Sequence, residues 1–275
     1  MAGQRRLDSF AALVATAVED GVPGHVIETG VWRGGASFVA AKTLELLGAR
    51  AAGRRTYLAD SFQGIPDQRR YGTSRFGGVN LSRQERFAHK FDIMNNNSVD
   101  RVRRDAERLG LDMARLSFVV GYFNSSLPEL LAAEPEIGFA AVRLDGDTFL
   151  STYEAIELLY PRLSPGGFLI VDDYLDWPGC RDAIDRYRER HAIREPITLV
   201  PHDESSEAVR GVYWRKAPAA GQLNCAQGGE GRLRPRGWLE HHVMTNGQGT
   251  TKQVTKRHKP IGATRAADKF DATIC

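Results

Sequence analysis

Residues 139–174 read FAAVRLDGDTFLSTYEAIELLYPRLSPGGFLIVDDY. Two apolar runs, Phe139–Leu144 and Phe168–Val171, flank a segment over Thr152–Leu163 whose apolar residues return at helical spacing. Strand, helix and strand in so short a stretch form one crossover unit, the repeating piece of a parallel sheet. The runs are apolar at successive positions, which predicts strands covered on both faces. Each run stops on carboxylates: Asp145-Gly146-Asp147 after the first and Asp172-Asp173 after the second.

The rhythm extends outward in both directions. Upstream, strands are expected at His25–Thr29, Thr56–Asp60 and Leu116–Val120, with helical patterns over residues 7–20, Ala36–Leu47 and Val99–Leu109. Downstream comes a helical pattern over Gly179–His191. Two strand-like runs follow, Ile197–Val200 and Gly211–Arg215, joined by a polar stretch. The fold class is therefore α/β, a mostly parallel sheet closed by an antiparallel last strand. That is the Rossmann-like arrangement of class I methyltransferases, although the sheet alone also suits other doubly wound folds.

Charge is unevenly placed. The 275 residues carry 37 Lys/Arg and 34 Asp/Glu, a net of +3. Residues 217–275 hold nine of the basic and four of the acidic side chains, so that stretch is +5 and residues 1–216 are −2. The basicity belongs to the tail, and a nucleic-acid-binding body is not expected. No apolar run is long enough to span a membrane. The start, MAGQRRLDSF, lacks the apolar core of a signal peptide, so a cytoplasmic protein is expected. Cys180, Cys225 and Cys275 lack the spacing of a thiolate metal site.

Two segments break the rhythm. Residues 66–97 are polar and rich in Arg, Asn and Gly, and they lie beyond the end of the second strand, where open α/β sheets bind ligands. A lid or substrate loop is expected there. Residues 217–275 hold eight Leu/Ile/Val/Phe, too few for a core, and are expected to be a disordered tail beyond a single domain over 1–216.

Two constellations carry chemistry. The first is Glu28-Thr29-Gly30-Val31-Trp32-Arg33-Gly34-Gly35, which follows the first strand and opens a helix. Its glycines let backbone approach a ligand, but the spacing is not GxGxxG and no phosphate-gripping Lys follows, so it is no P-loop. An acidic strand end repels a pyrophosphate and suits a cation such as the α-amino group of S-adenosylmethionine (SAM). Asp60, closing the second strand, suits ribose hydroxyls, or else caps its own turn.

The second constellation is the four carboxylates. Asp145 and Asp147 share a face in extended backbone, and successive parallel strands are often neighbours, so the four converge on one sheet edge. Such crowding favours a cation, and oxygen-only ligands favour a hard one, Mg²⁺; the alternative is that these Asp residues cap the helices that follow, which two at each strand end fit poorly. A metal beside a substrate hydroxyl lowers its pKa, a spare carboxylate removes the proton, and the alkoxide attacks a sulfonium methyl.

At this point the chain resembles the macrocin O-methyltransferase (TylF) family, SAM- and Mg²⁺-dependent sugar O-methyltransferases of antibiotic pathways. The similar stretches are RRLDS (5–9), DGVPGHVIETGVWRGGA (20–36), ADSFQGIPD (59–67), FVVGYFNSSLP (118–128), residues 143–174 and GVYWRK (211–216). The resemblance implies Asp145, Asp172 and Asp173 as metal ligands and Asp147 as general base. It also implies Glu28, Thr29 and Gly30 at the methionine part of SAM, Asp60 and Ser61 at the ribose, and Phe123 at the adenine. A glycosylated natural product is the implied substrate and a homo-oligomer the implied assembly. Family chains carry further residues before RRLD, often have an acidic residue where Ser125 stands, and end near GVYWRK. Two rivals differ in class: a glycosyltransferase using Asp145-Gly146-Asp147 as a D-x-D site, and a SAM-binding protein without activity.

Overall fold

A computed structural model describes residues 3–67, 97–200 and 211–217. The expected lid at 66–97 falls outside the described residues except for its ends, and the tail does so beyond residue 217. Seven strands form one sheet: β1 (His25–Thr29), β2 (Thr56–Asp60), β3 (Leu116–Val120), β4 (Phe139–Leu144), β5 (Leu163–Val171), β6 (Thr198–Leu199) and β7 (Val212–Arg215). Their order is β3-β2-β1-β4-β5-β7-β6. β1 to β5 are parallel, and β7 alone runs against both neighbours, as expected of the last strand.

Among the described residues, six α-helices cover the two faces: α1 (Gln4–Glu19), α2 (Gly35–Leu46), α3 (Val99–Arg108), α4 (Phe123–Ala133), α5 (Phe149–Leu159) and α6 (Pro178–Arg190). One face buries Phe10, Val14 and Leu44 of α1 and α2 against Val26, Ala141 and Ile170. The other buries Phe149, Ile156 and Leu159 of α5 and Ile184 of α6 against Ile27, Val142 and Leu169. The alternation of those strand residues is the period of two, and burying each Leu, Ile or Phe is worth about 1.5–3 kcal/mol. Sequence sets the helix starts locally. The Ser98 hydroxyl caps α3 by accepting from Arg101 N–H (3.3 Å), and Thr148 caps α5 by accepting from Ser151 N–H (3.4 Å).

Two elements differ from expectation. α4 is absent from the helical patterns expected above, because Pro128 and the Asn-Ser-Ser run hide its period; Pro128 falls in the second turn of a helix that buries Leu127. β5 starts at Leu163, five residues before the expected Phe168. Ser-Pro-Gly-Gly resembles a turn but forms an irregular strand entry, with Gly166 at φ +81° and a register shift against β4.

The parallel strands end together, with Thr29 beside Leu144 and Leu144 beside Val171. The turns after β1 and β4 press so close that a Cβ on Gly30 (φ +87°) would sit 1.7 Å from the Asp145 carbonyl oxygen. Gly30→Ala is therefore expected to prevent folding. Gly53→Ala, at φ +72° with open space around it, is expected to cost only about 1–2 kcal/mol. Thermal unfolding of the two variants checks the contrast, and a stable Gly30→Ala protein contradicts it.

Candidate active site

Strand periodicity and register build the site. Glu28 and Arg143 are cross-strand partners on β1 and β4. Asp145 lies two residues beyond Arg143, and Asp172 two beyond Ile170, the β5 partner of Arg143. All four thus project to the α1 and α2 side of the sheet. The Arg143 guanidinium is 3% exposed and holds three carboxylates: Glu28, Asp145 (2.5 Å) and Asp172 (2.6 Å). Ser37, in the first turn of α2, donates a second hydrogen bond to Glu28. From α1, buried Arg6 reaches the other oxygen of Asp172 at 2.5 Å.

Asp147 and Asp173 complete the cluster. Asp147 adopts a left-handed backbone, φ +58°, which turns its N–H onto Asp173 Oδ2 (3.1 Å). A non-glycine residue there is strained, and such strain persists only where surroundings enforce it. Ligand oxygens of Asp145, Asp172 and Asp173 lie within 4.8 Å of one another.

These charges do not balance. Five carboxylates (Glu28, Asp145, Asp147, Asp172, Asp173) face two guanidiniums, Arg6 and Arg143. Burial and the neighbouring carboxylates push Asp147 and Asp173 well above the usual carboxylate range. Asp145 also rises, mainly through burial, and burial takes Glu28 up to about 7 against the pull of Arg143. An oxygen-only donor set with excess negative charge fits a hard divalent cation.

The cluster forms one wall of a cavity of about 460 Å³ at the carboxyl edge of the sheet. Gly30, Trp32, Asp60, Ser61, Tyr122 and Phe123 also line it. Every expected site residue except Thr29 reaches this cavity. Thr29 is fully buried, and its hydroxyl donates to the Arg143 carbonyl (3.4 Å). Asp60 is already at work: one oxygen accepts from the N–H groups of Val31 (2.8 Å) and Trp32 (3.0 Å), the other from Phe62 N–H (2.7 Å). It shapes the glycine-rich turn and keeps lone-pair capacity toward the cavity. The Ser61 hydroxyl is tied into its own turn, donating to the Gly64 carbonyl (2.9 Å) and accepting from Gln63 N–H (3.1 Å).

Sequence reasoning missed the two counter-ions. A guanidinium inside the apolar run FAAVRL needs buried partners, so Arg143 was legible in principle. Arg6 left no comparable mark, because an arginine near a chain start resembles any surface charge.

Carboxyls held above their ordinary pKa contribute stability at low pH and lose it as pH rises toward their folded values. Asp173→Asn keeps an acceptor for Asp147 N–H and removes one crowded charge. At pH 8 in EDTA this variant is expected to melt several degrees higher, at about 2–4 °C per kcal/mol for a chain of this size. The gain shrinks toward pH 5. Calorimetric melting across pH checks this; a lower melting point at pH 8 contradicts it.

Comparison with known proteins places the chain in a family. The family model described as Macrocin-O-methyltransferase (TylF) matches residues 1–216. The chain is 39% identical over 221 residues to the 8-demethyl-8-(2,3-dimethoxy-alpha-L-rhamnosyl)-tetracenomycin-C 4'-O-methyltransferase of Streptomyces olivaceus, covering 80% of this chain and 76% of that protein. It is 37% identical over 217 residues to the mycinamicin III 3''-O-methyltransferase of Micromonospora griseorubida, covering 79% and 78%. The solved structure of the O-methyltransferase NovP is similar at a TM-score of 0.66 and 33% identity, covering 78% of this chain and 81% of that one. With a model match over residues 1–216 and relatives this close over most of both chains, the protein belongs to the TylF macrocin O-methyltransferase family.

Proposed function

We propose that this protein transfers the methyl group of SAM to a sugar hydroxyl of a glycosylated natural product, with Mg²⁺ held by Asp145, Asp172 and Asp173. The observation that carries the proposal is the meeting of two constellations in one cavity, whose lining includes both the glycine-rich turn with Asp60 and the carboxylate cluster. The names of the relatives, which act on sugars of tetracenomycin and mycinamicin compounds, support the acceptor class. Family membership sets aside the nucleotide-sugar reading of Asp145-Gly146-Asp147, which also left Glu28 and Asp172-Asp173 without a role.

Each side chain then has a task. Gly30 and Glu28 receive the amino-acid end of SAM, the spare lone pair of Asp60 accepts from a ribose hydroxyl, and Phe123, at the start of α4, offers a face to the adenine. A divalent cation, when bound, supplies positive charge beside the acceptor hydroxyl and eases its ionisation. The Asp147 carboxylate, held at the cavity wall by its backbone turn, takes the hydroxyl proton onto an oxygen. The sheet edge aligns acceptor oxygen and methyl group, converting a collision into an in-line transfer. Leu150 and Trp177 supply apolar wall that keeps water from the reacting atoms. We also infer a soluble homo-oligomer acting on small molecules in the cytoplasm; no described helix is long and apolar enough to cross a membrane.

Incubation with SAM and a panel of glycosylated macrolides, aminocoumarins and aromatic polyketides, read by mass spectrometry, tests the proposal. A product heavier by one methylene that disappears with EDTA and returns with Mg²⁺ is expected. Absence of such a product from every acceptor contradicts it and favours a SAM-binding protein without activity. On a productive acceptor, Asp147→Asn is expected to lower kcat by about 10²–10⁴ while calorimetry finds SAM affinity kept. A variant with full turnover removes Asp147 as the base.

A further inference from the structure

The metal site proposed above already contains a cation of its own. Asp172 is 6% exposed, and both of its carboxylate oxygens are engaged by guanidiniums: Oδ1 by Arg143 at 2.6 Å and Oδ2 by Arg6 at 2.5 Å. The two arginines reach it from different places. Arg143 stands on β4 inside the sheet and also grips Asp145, so it holds two ligands of the cluster together. Arg6 stands on α1, is itself buried, and borders the cavity.

Geometry sets these two roles against each other. Ligand oxygens of Asp145, Asp172 and Asp173 lie within 4.8 Å of one another, close enough to share one small ion. Arg143 bridges two of those ligands, Asp145 and Asp172, from β4. Arg6 reaches the other Asp172 oxygen from α1, so a cation that takes that oxygen meets a guanidinium already on it. A guanidinium and a dication a few ångströms apart in a buried site also repel each other directly.

We propose that Arg6 is a resident counter-cation that holds Asp172 while no divalent ion is bound and yields it when one binds, so that α1 sets the metal affinity of the site. The inference rests on the metal reading of the three aspartates. It gives α1 a part in the chemistry beyond its packing, since the helix that covers the sheet face also carries the competing charge.

The test is Mn²⁺ binding to the full 275-residue chain, followed by electron paramagnetic resonance and by calorimetry, with no acceptor present. Arg6→Met, close in length and without charge, is expected to bind Mn²⁺ about tenfold more tightly than the unaltered chain and to gain more in melting temperature on adding the ion. Arg6→Lys keeps a charge and is expected to fall between the two. Arg5→Met, which removes an exposed charge one residue away, is expected to stay within about twofold, separating local competition from net charge. Equal or weaker binding by Arg6→Met overturns the proposal and leaves the metal site standing. If Arg6→Met does not fold, Arg6→Lys decides: binding no tighter than the unaltered chain overturns the proposal. If the unaltered chain binds no Mn²⁺, the metal reading fails, and the proposal fails with it.

Discussion

The structure depends on one buried guanidinium. Arg143 lies in the middle strand of the sheet, and its three carboxylate partners come from β1, from the turn beyond β4 and from the end of β5. A charge taken that far out of water is tolerated only when it is paired and hydrogen-bonded, and removing one partner of such a pair commonly costs about 3–5 kcal/mol. The same side chain that fixes the three strand ends relative to one another therefore fixes the carboxylates of the candidate site. Fold and site share one constraint.

Around that centre the sheet edge stays in electrostatic imbalance. The surplus carboxylates cost stability, as the raised pKa values of Asp147 and Asp173 record. Such a surplus suits a cation, and a lifted pKa suits a carboxyl to proton transfer near neutrality, the roles proposed for the cluster and for Asp147. Gly30 belongs to the same economy of space. It brings the first turn against the Asp145 carbonyl, leaving no room for a side chain between the turns that follow β1 and β4. Asp60 serves both, shaping the turn with one set of lone pairs and facing the cavity with the rest.

Much of this was legible from residues alone, for physical reasons. Strands covered on both faces are largely apolar, so β4 and the end of β5 stand out, and the carboxylates directly after these two mark the edge of the candidate site. Other features were hidden because they arise from contacts distant in sequence. Pro128 obscured α4, and Ser164-Pro165-Gly166-Gly167 disguised the entry to β5. Thr29 sits in a motif beside two cavity residues, yet alternation along the strand buries its side chain on the opposite face from Glu28. Arg6 and Asp172 are separated by 166 positions, and only the folded chain brings them together.

Joint binding of SAM and a divalent cation in one cavity is tested most directly by crystals grown with S-adenosylhomocysteine and Mn²⁺, through the anomalous scattering of the metal. A single strong Mn²⁺ peak bonded to Asp145, Asp172 and Asp173 is expected, with the nucleoside ribose on Asp60. Manganese elsewhere, or none beside a bound nucleoside, would contradict it.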